Sequence, residues 1–252
     1  MERKQWDKYA KNYHKEIISP LQKKVINPLF SDILKIANRK KLIVADVGTG
    51  IGDLLPFLSQ NFKKVYAIDF SKKMLKIAKQ RNSLVNNIIF KEADLRKLVD
   101  LDLKLNMIIS VNSILGPSFE QVEKSFEQIS GSLKEGGIFI GIFPAMESIL
   151  YNFMLVYERE YSKVKNEKRA LKDTKKISER KKYNFIMGVF DDNGEKQKNY
   201  YQFELRNRLK KASFKKIKFK KVLYPWGKGC GDFEDFYGMP KMWDWYVTAI
   251  KK

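Results

Sequence analysis

The sequence has almost none of the residues that crosslink secreted proteins. It contains one cysteine, Cys230, and one histidine, His14, among 252 residues. A single cysteine excludes a disulfide within the chain and favours a reducing compartment. We therefore expect a cytoplasmic protein, and we predict no metal site.

Long hydrophobic runs are also absent. The longest apolar segments, such as Ile138 to Phe143, are far too short to span a bilayer, and the chain shows no N-terminal signal pattern. With 44% hydrophobic residues, the chain can still bury a sizeable core. We expect a single domain of residues 1–252 with an elaboration and no membrane span.

Negative charge is scarce relative to positive charge. The chain has 50 Lys and Arg but 29 Asp and Glu, which gives a formal net charge of +21. Nine of the sixteen residues from Arg206 to Lys221 are basic, which is typical of a nucleic-acid partner. Lys216, Lys218 and Lys220 alternate, however, as residues on a solvated strand face do. Charge alone leaves both interpretations open.

A glycine-rich turn after an apolar strand is the most informative segment. Residues 44–53 read VADVGTGIGD, and we predict a strand from Leu42 to Val47 and a helix from about Asp53. Glycines let backbone N–H groups approach a ligand, and a helix start offers unpaired donors. A second apolar strand, Val65 to Ile68, leads into Asp69, whose carboxylate can accept two ribose hydroxyls. The pattern predicts a nucleotide-type cofactor site.

The glycine spacing favours a cofactor without a diphosphate. Gly48, Gly50 and Gly52 form G-x-G-x-G, whereas the dinucleotide fingerprint is G-x-G-x-x-G. Asp46 lies two residues before the first glycine, where it would repel a diphosphate but could organise the loop or engage a cationic group. S-adenosylmethionine has an ammonium, a sulfonium and no phosphate.

At this point the chain resembles the class I, Rossmann-like S-adenosylmethionine-dependent methyltransferases. The similarity covers roughly Leu42 to Phe143. Besides the glycine turn it includes residues 68–75 (IDFSKKML), a third strand at 88–90, the segment 91–95 (KEADL), a fourth strand at 107–111, and the turn 133–137 (LKEGG) before a fifth strand at 138–143. The resemblance implies an α/β fold with a doubly wound, mostly parallel seven-stranded sheet and an antiparallel last strand.

The resemblance also implies which residues hold S-adenosylmethionine, whose product is S-adenosylhomocysteine. Asp69 would bind the ribose, Met74 would lie near the adenine, and Asp94 would accept a hydrogen bond from the adenine amino group. The full predicted set is Tyr13, Asp46, Gly48, Thr49, Gly50, Gly52, Asp69, Phe70, Met74, Ala93, Asp94, Leu95, Val111 and Asn112. Taken alone, Asp94 could equally cap a helix, and Met74 could be a core residue.

Segments outside the sheet are expected to form the acceptor side. We predict a helical cap at residues 1–38, a core at 39–145 and 203–252, and an inserted α+β substrate module at 146–202. Trp6, Tyr9 and Tyr13 fall near one helical face, which suits either a lid over the cofactor or a docked surface helix. Tyr13 and His14, which lie in this cap, are the candidate catalytic residues.

Within the module, we predict a helix at 145–161, a charged helix or loop at 163–182, and a hairpin. The hairpin arms are expected at 183–189 and 199–203, around a turn at 191–194. We then expect a helix at 203–212 and a final antiparallel strand pair at 216–224 and 245–250.

Three signatures of nucleic-acid methyltransferases are missing. Residues 112–115 (NSIL) are not Asn/Asp-Pro-Pro-Tyr, Cys230 lies in the wrong region for a C5 nucleophile, and Asn112 stands where the Lys-Asp-Lys-Glu enzymes have an acid. We therefore favour a small-molecule acceptor, methylated by in-line displacement. An RNA methyltransferase and a non-catalytic cofactor-binding protein stay open, and neither the acceptor atom nor the oligomeric state is predicted.

Overall fold

The computed structural model describes residues 3–13, 17–179, 182–192, 194–227 and 233–252. Its main sheet has seven strands: β1 (Ile43–Val47), β2 (Lys64–Asp69), β3 (Ile88–Glu92), β4 (Leu105–Val111), β5 (Leu133–Pro144), β9 (Phe214–Leu223) and β10 (Trp243–Lys251). Their order is β3-β2-β1-β4-β5-β10-β9. The first five are parallel, and β10 runs antiparallel to both β5 and β9. The predicted fold class is confirmed.

Helices cover both faces of this sheet. They are α1 (Arg3–Tyr9), α2 (Leu29–Leu34), α3 (Leu55–Asn61), α4 (Lys72–Arg81), α5 (Phe119–Ser132), α6 (Met146–Val164), α7 (Glu167–Glu179) and α8 (Gln202–Lys211), with short 3-10 helices at Ala10–Asn12, Arg39–Lys41 and Leu95–Leu101. Val44 and Ala45 are both fully buried but belong to different hydrophobic clusters, one on each face. A strand buried on both faces reads as a continuous apolar run, which explains the apolar sequence of β1.

The starts of α3 and α4 follow from their first residues. The Ser71 hydroxyl accepts a hydrogen bond from the backbone N–H of Met74 at 3.1 Å, so Ser71 is the N-cap of α4. The helix α3 begins at Leu55, two residues later than predicted. Gly48, Gly50 and Gly52 all have positive φ angles, so the backbone becomes helical only after the loop they form.

The predicted turn at 133–137 is part of β5 rather than a connection before it. Leu133 pairs with Leu105 and Ile138 with Met107, so four residues on β5 face a single residue on β4. Gly136, with a φ of +70°, allows this irregularity. The strand therefore begins five residues earlier than we expected, on the far side of a bulge.

The elements between β5 and α8 are α6, α7 and a separate antiparallel sheet of β6 (Lys182–Asn184), β7 (Val189–Asp192) and β8 (Glu195–Lys198). The charged segment contains α7. The strands β7 and β8 pair across the predicted turn, but Asp191 and Asp192 of that turn belong to β7. The predicted hairpin arms were wrong, because residues 199–203 form no strand. This segment bridges Ala145 through Tyr200 and then enters α8. The division into cap, core and module stays a prediction.

Two buried polar side chains fasten the end of this module, one to the loop after β4 and the other to α8. The hydroxyl of the fully buried Tyr200 donates to the backbone carbonyl of Ile114 at 2.7 Å. Lys198, 3% exposed, donates to Glu204 at 2.8 Å and to two backbone carbonyls. Burial lowers the pKa of Lys198, and the hydrogen bond to Glu204 opposes that effect. Within the described ranges, no helix is both long enough and apolar enough to cross a bilayer.

Replacing Tyr200 with Phe is expected to destabilise the fold by about 1–3 kcal/mol, because the buried Ile114 carbonyl loses its donor. Urea unfolding monitored by circular dichroism measures this change. The matched control is Tyr161→Phe, since Tyr161 is 39% exposed, and its effect is expected to stay within about 0.5 kcal/mol. Equal effects of the two substitutions would contradict the assigned role of Tyr200.

Candidate active site

The loop after β1 is fastened to the carboxyl end of β2. The backbone N–H groups of Gly48 and Thr49 both donate to the carbonyl of Ile68, at 2.8 and 3.0 Å. The Asp69 carboxylate accepts from the N–H of Gly50 at 2.8 Å and from that of Ser71 at 2.9 Å. Asp69 thus joins the glycine loop to the start of α4.

The glycines of this loop have different neighbours. A Cβ on Gly48, whose φ is +75°, would lie 2.2 Å from the Cβ of Ser113, which follows β4. Gly50 lies beneath the ring of Tyr13, where a Cβ would still have room at 3.8 Å. Gly52 instead packs against Ala78 of α4 and is absent from the linings of the two cavities described below. Of these three glycines, Gly48 is therefore the one at which a close contact in the cavity wall leaves no room for a side chain.

A cavity of about 350 Å³ opens at the carboxyl ends of β1, β2 and β4. It adjoins the point where the strand order reverses between β1 and β4, the usual ligand position in such sheets. Eleven of the fourteen predicted cofactor residues line it: Tyr13, Gly48, Gly50, Asp69, Phe70, Met74, Ala93, Asp94, Leu95, Val111 and Asn112. The sheet topology therefore brings together residues that are separated in sequence.

A second cavity of about 350 Å³ adjoins the first. The two share Trp6, Tyr13, Gly48, Val111, Asn112 and Leu115. Asp46 and Thr49, two of the predicted cofactor residues, line this second cavity. Its outer wall comes from the small sheet, with Tyr183, Phe190 and Gln197. Sequence reasoning expected an acceptor pocket here but missed these residues, because it misplaced the hairpin strands.

Carboxylates concentrate around the glycine loop although the chain as a whole is basic. Burial raises the pKa of Asp46 to about 7, the Thr49 hydroxyl at 2.7 Å opposes this shift, and the nearby Asp69 and Asp53 add to it. Burial also raises the pKa of Asp69, against hydrogen bonds from backbone N–H groups. A bound cation would relieve the repulsion between these groups, whereas a diphosphate would increase it.

Tyr13 lies over the loop and is largely buried. Burial raises the pKa of its phenol, and Asp53, Asp69 and Asp46 raise it further through their charges. The phenol therefore keeps its proton at neutral pH and is available as a hydrogen-bond donor. His14, the other candidate catalytic residue, lies outside the described residues.

Asp94 has one of the two roles that its sequence allowed, that of a helix cap. It is the N-cap of the 3-10 helix 95–101, and it accepts from the backbone N–H of Arg96 at 2.9 Å. Both of its oxygens also accept from the Arg96 guanidinium, which lowers the pKa of Asp94 despite its partial burial. Asp94 still lines the first cavity as an ionised acceptor, so its contact with adenine stays a prediction.

Asn112 is held by a contact that the sequence does not reveal. Its Nδ2 donates to Asp244 on β10 at 3.2 Å, and the hydroxyl of Tyr224 donates to the same carboxylate oxygen at 2.6 Å. Burial raises the pKa of Asp244 to about 6 against these two hydrogen bonds. The Oδ1 of Asn112 is buried and has no hydrogen-bond partner among the described residues. Because Asn112 lines both cavities, an N–H donor of a ligand fits this orphan acceptor.

The helix α1 forms a roof over the two cavities. The Tyr9 hydroxyl donates to Glu195 of β8 at 2.8 Å, and Arg3 pairs with Glu92 of β3 at 3.2 Å. Asp7 accepts a hydrogen bond from the Ser71 hydroxyl. Trp6, on the same helix, lines both cavities. The roof therefore joins the main sheet to the small sheet.

A family model described as "Methyltransferase domain" matches residues 44–137, from β1 into β5. The chain is also 33% identical over 95 residues to the release factor glutamine methyltransferase of Flavobacterium psychrophilum. That match covers 36% of this chain and 33% of the relative, so the chain aligns with about a third of that protein's length.

Two solved structures show a similar fold. The magnesium protoporphyrin IX methyltransferase of Synechocystis PCC 6803, crystallised with bound S-adenosylmethionine, is 16% identical with a TM-score of 0.56. The similarity covers 89% of this chain and 77% of that one. An S-adenosylmethionine-dependent methyltransferase from Methanosarcina mazei is 15% identical with a TM-score of 0.57, over 90% and 98% of the two chains. At these identities the likeness shows the shared fold.

Replacing Gly48 with Ala is expected to weaken binding of S-adenosylhomocysteine at least about tenfold, because the new methyl group would push Ser113 and the loop apart. Isothermal titration calorimetry measures the affinity. Gly136→Ala is the matched control: its φ is also positive, but a Cβ there meets nothing within 4 Å. Both variants carry a left-handed backbone cost of about 1–2 kcal/mol. Equal loss of affinity in the two variants would contradict the role of Gly48.

Replacing Asp46 with Asn is expected to stabilise the ligand-free protein more at pH 8 than at pH 5. The folded-state pKa of about 7 lies above the ordinary value of 3.8, so folding takes up a proton between these pH values. The contribution of Asp46 to stability therefore falls as pH rises through that window, by about 1 kcal/mol or more. Denaturant unfolding at both pH values measures the difference. Asp100→Asn, at an exposed position, is the control. If the gain in stability of Asp46→Asn over the wild type were smaller at pH 8 than at pH 5, the raised pKa of Asp46 would be contradicted.

Proposed function

We propose that the chain is a class I methyltransferase that uses S-adenosylmethionine, and that it transfers a methyl group to a small-molecule acceptor. The observation that carries the proposal is the second cavity. It adjoins the first at Tyr13, Gly48 and Asn112, and residues of the small sheet line it, so a small molecule has room beside the cofactor.

Positioning is the main contribution that the protein makes to such a transfer. The cofactor, when bound, supplies a methyl group already activated by its sulfonium. Holding the acceptor atom on the S–CH₃ axis is worth up to about 7–11 kcal/mol. The shared wall of the two cavities supports this geometry, since a ligand in each would meet there. The helix α1 is joined to the small sheet by the hydrogen bond from Tyr9 to Glu195. It thereby limits the access of water to the place where the two ligands meet.

The proposed cofactor contacts follow the lining of the first cavity. Asp69 has two backbone donors and can still accept from ribose hydroxyls, because a carboxylate has about four acceptor sites. Met74 and Asp94 lie in the same cavity and suit the adenine. Asp46 engages the cationic groups directly or through water. Tyr13 donates a hydrogen bond near the glycine loop, and no catalytic base is proposed, because His14 lies outside the described residues.

The alternative acceptor, RNA, is favoured by the lysine-rich strand β9. Lys216, Lys218 and Lys220 lie along this edge strand, which is separated from β4 by β5 and β10. No lysine of β9 lines either cavity. Lysines on an edge strand also prevent pairing with other chains, which accounts for them without a nucleic-acid partner. A small molecule therefore remains the preferred acceptor.

The cysteine content still favours the cytoplasm as the compartment of the protein.

The acceptor class is tested with radiolabelled S-adenosylmethionine, offered together with either total RNA or a metabolite extract. We expect label in the small-molecule fraction, with less than about a twofold change between 50 and 300 mM salt. The double variant Lys216→Gln/Lys218→Gln is expected to retain this activity. Label in RNA that falls steeply with salt and with the double variant would establish the alternative. Cofactor binding without transfer to either pool would indicate a non-catalytic protein.

A further inference from the structure

The second cavity has an uneven distribution of charge. Among its lining residues in the part of the chain that the structure describes, the charged side chains are Asp46 and Asp53, and none is basic. The chain as a whole has 50 Lys and Arg against 29 Asp and Glu. The first cavity, by contrast, includes Arg96 and Lys196. A lining of this kind repels phosphates and carboxylates and attracts cations.

The two carboxylates of the second cavity have different partners. Asp53 forms an ion pair with Arg81 at 2.7 Å, so much of its charge is already balanced. Asp46 accepts from the neutral hydroxyl of Thr49 at 2.7 Å and is buried. Asp46 therefore has no counter-ion among the described residues, and a cation bound beside it would favour its ionised form.

The opposite side of the second cavity is aromatic. Tyr183 and Phe190 stack with their ring centroids 4.9 Å apart and their planes 28° apart. Phe153 and Phe185 pack against Tyr183 and hold its ring in place. Burial raises the pKa of the Tyr183 phenol, so this wall adds no negative charge of its own. Fixed aromatic rings of this kind accept a planar apolar body and tolerate a cation near their faces.

The lining of the second cavity also includes a residue with an unsatisfied hydrogen-bond acceptor. The Oδ1 of Asn112 is buried without a partner among the described residues, while Nδ2 is engaged by Asp244. The hydrogen bond to Asp244 fixes which end of the carboxamide is engaged, and it leaves the oxygen as the end without a partner. A ligand satisfies this atom only if it brings an N–H or O–H. Gln197 and Asn199, on the same cavity wall, add neutral polar groups.

From these features we propose that the acceptor is an amine attached to an aromatic ring, with the ring against Tyr183 and Phe190 and an N–H donated to Asn112. This inference rests on the proposed methyl transfer. The amine binds as an ammonium and loses one proton to solvent, which frees the nitrogen lone pair. The lone pair forms the new N–CH₃ bond as the S–CH₃ bond breaks, and the electron pair of that bond stays on the sulfur of the departing thioether. The product is the methylated ammonium. An anionic acceptor with the same ring is excluded by charge.

Two probes with the same ring and opposite charge test the proposal. Tryptamine and indole-3-acetate are titrated calorimetrically into the full chain saturated with S-adenosylhomocysteine. Tryptamine is expected to bind at least about tenfold more tightly. In turnover with S-adenosylmethionine, tryptamine is expected to yield S-adenosylhomocysteine and an N-methylated product, and indole-3-acetate is expected to yield neither.

A pair of variants at one position separates charge from packing. Gln197 lies on β8, opposite Phe190, and lines the cavity. Gln197→Lys adds a cation there and is expected to reduce the preference for tryptamine at least about tenfold. Gln197→Met keeps the length and neutrality of the side chain and is expected to preserve that preference. Both variants are expected to bind S-adenosylhomocysteine with unchanged affinity, which confirms that they fold.

Each outcome bears on one hypothesis. Equal or tighter binding of indole-3-acetate, binding of neither probe, or a preference that Gln197→Lys leaves intact would overturn the amine acceptor. The proposed methyl transfer would survive those results, provided that the protein still binds S-adenosylhomocysteine and methylates another small molecule. A protein that binds neither S-adenosylmethionine nor S-adenosylhomocysteine would overturn the proposed function itself.

Discussion

The attachment of the glycine loop to the end of β2 is the constraint on which the site depends. Ile68 accepts two backbone N–H groups of the loop, and Asp69 accepts a third while also holding the first turn of α4. This geometry requires a positive φ at Gly48 and no side chain there, because Ser113 stands against it. Once the loop is fixed, Tyr13 lies on it, Asp46 is buried beneath it, and both cavities open along its edge.

The second organising feature is the separation of charge. Lysines occupy exposed positions such as those of β9, whereas buried carboxylates gather near the glycine loop. Burying Asp46 and Asp69 close together costs stability, as the raised pKa values of both groups indicate. A site that is destabilised in this way without ligand is suited to a cation, because the bound positive charge offsets the repulsion between the carboxylates.

Local motifs in the sequence predicted the fold and most of the first cavity. Gly48, Asp69 and Ser71 lie at or next to strand ends, and their roles follow from short segments whose meaning does not depend on distant contacts. The hairpin failed for the opposite reason. Its real arms are short and charged, whereas the aromatic segment around Tyr200 reads as a strand but is pulled into the core by the Ile114 carbonyl. The hold of Asp244 on Asn112 joins residues 132 positions apart, and no local pattern could predict it.

The central claim is that the loop at Gly48 and Asp46 recognises a cationic nucleoside without phosphates. Titration calorimetry of the wild-type protein with S-adenosylmethionine and, separately, with NAD tests it most directly. We expect one S-adenosylmethionine to bind per chain and NAD to give no measurable heat. Saturable binding of NAD together with no binding of S-adenosylmethionine would contradict it.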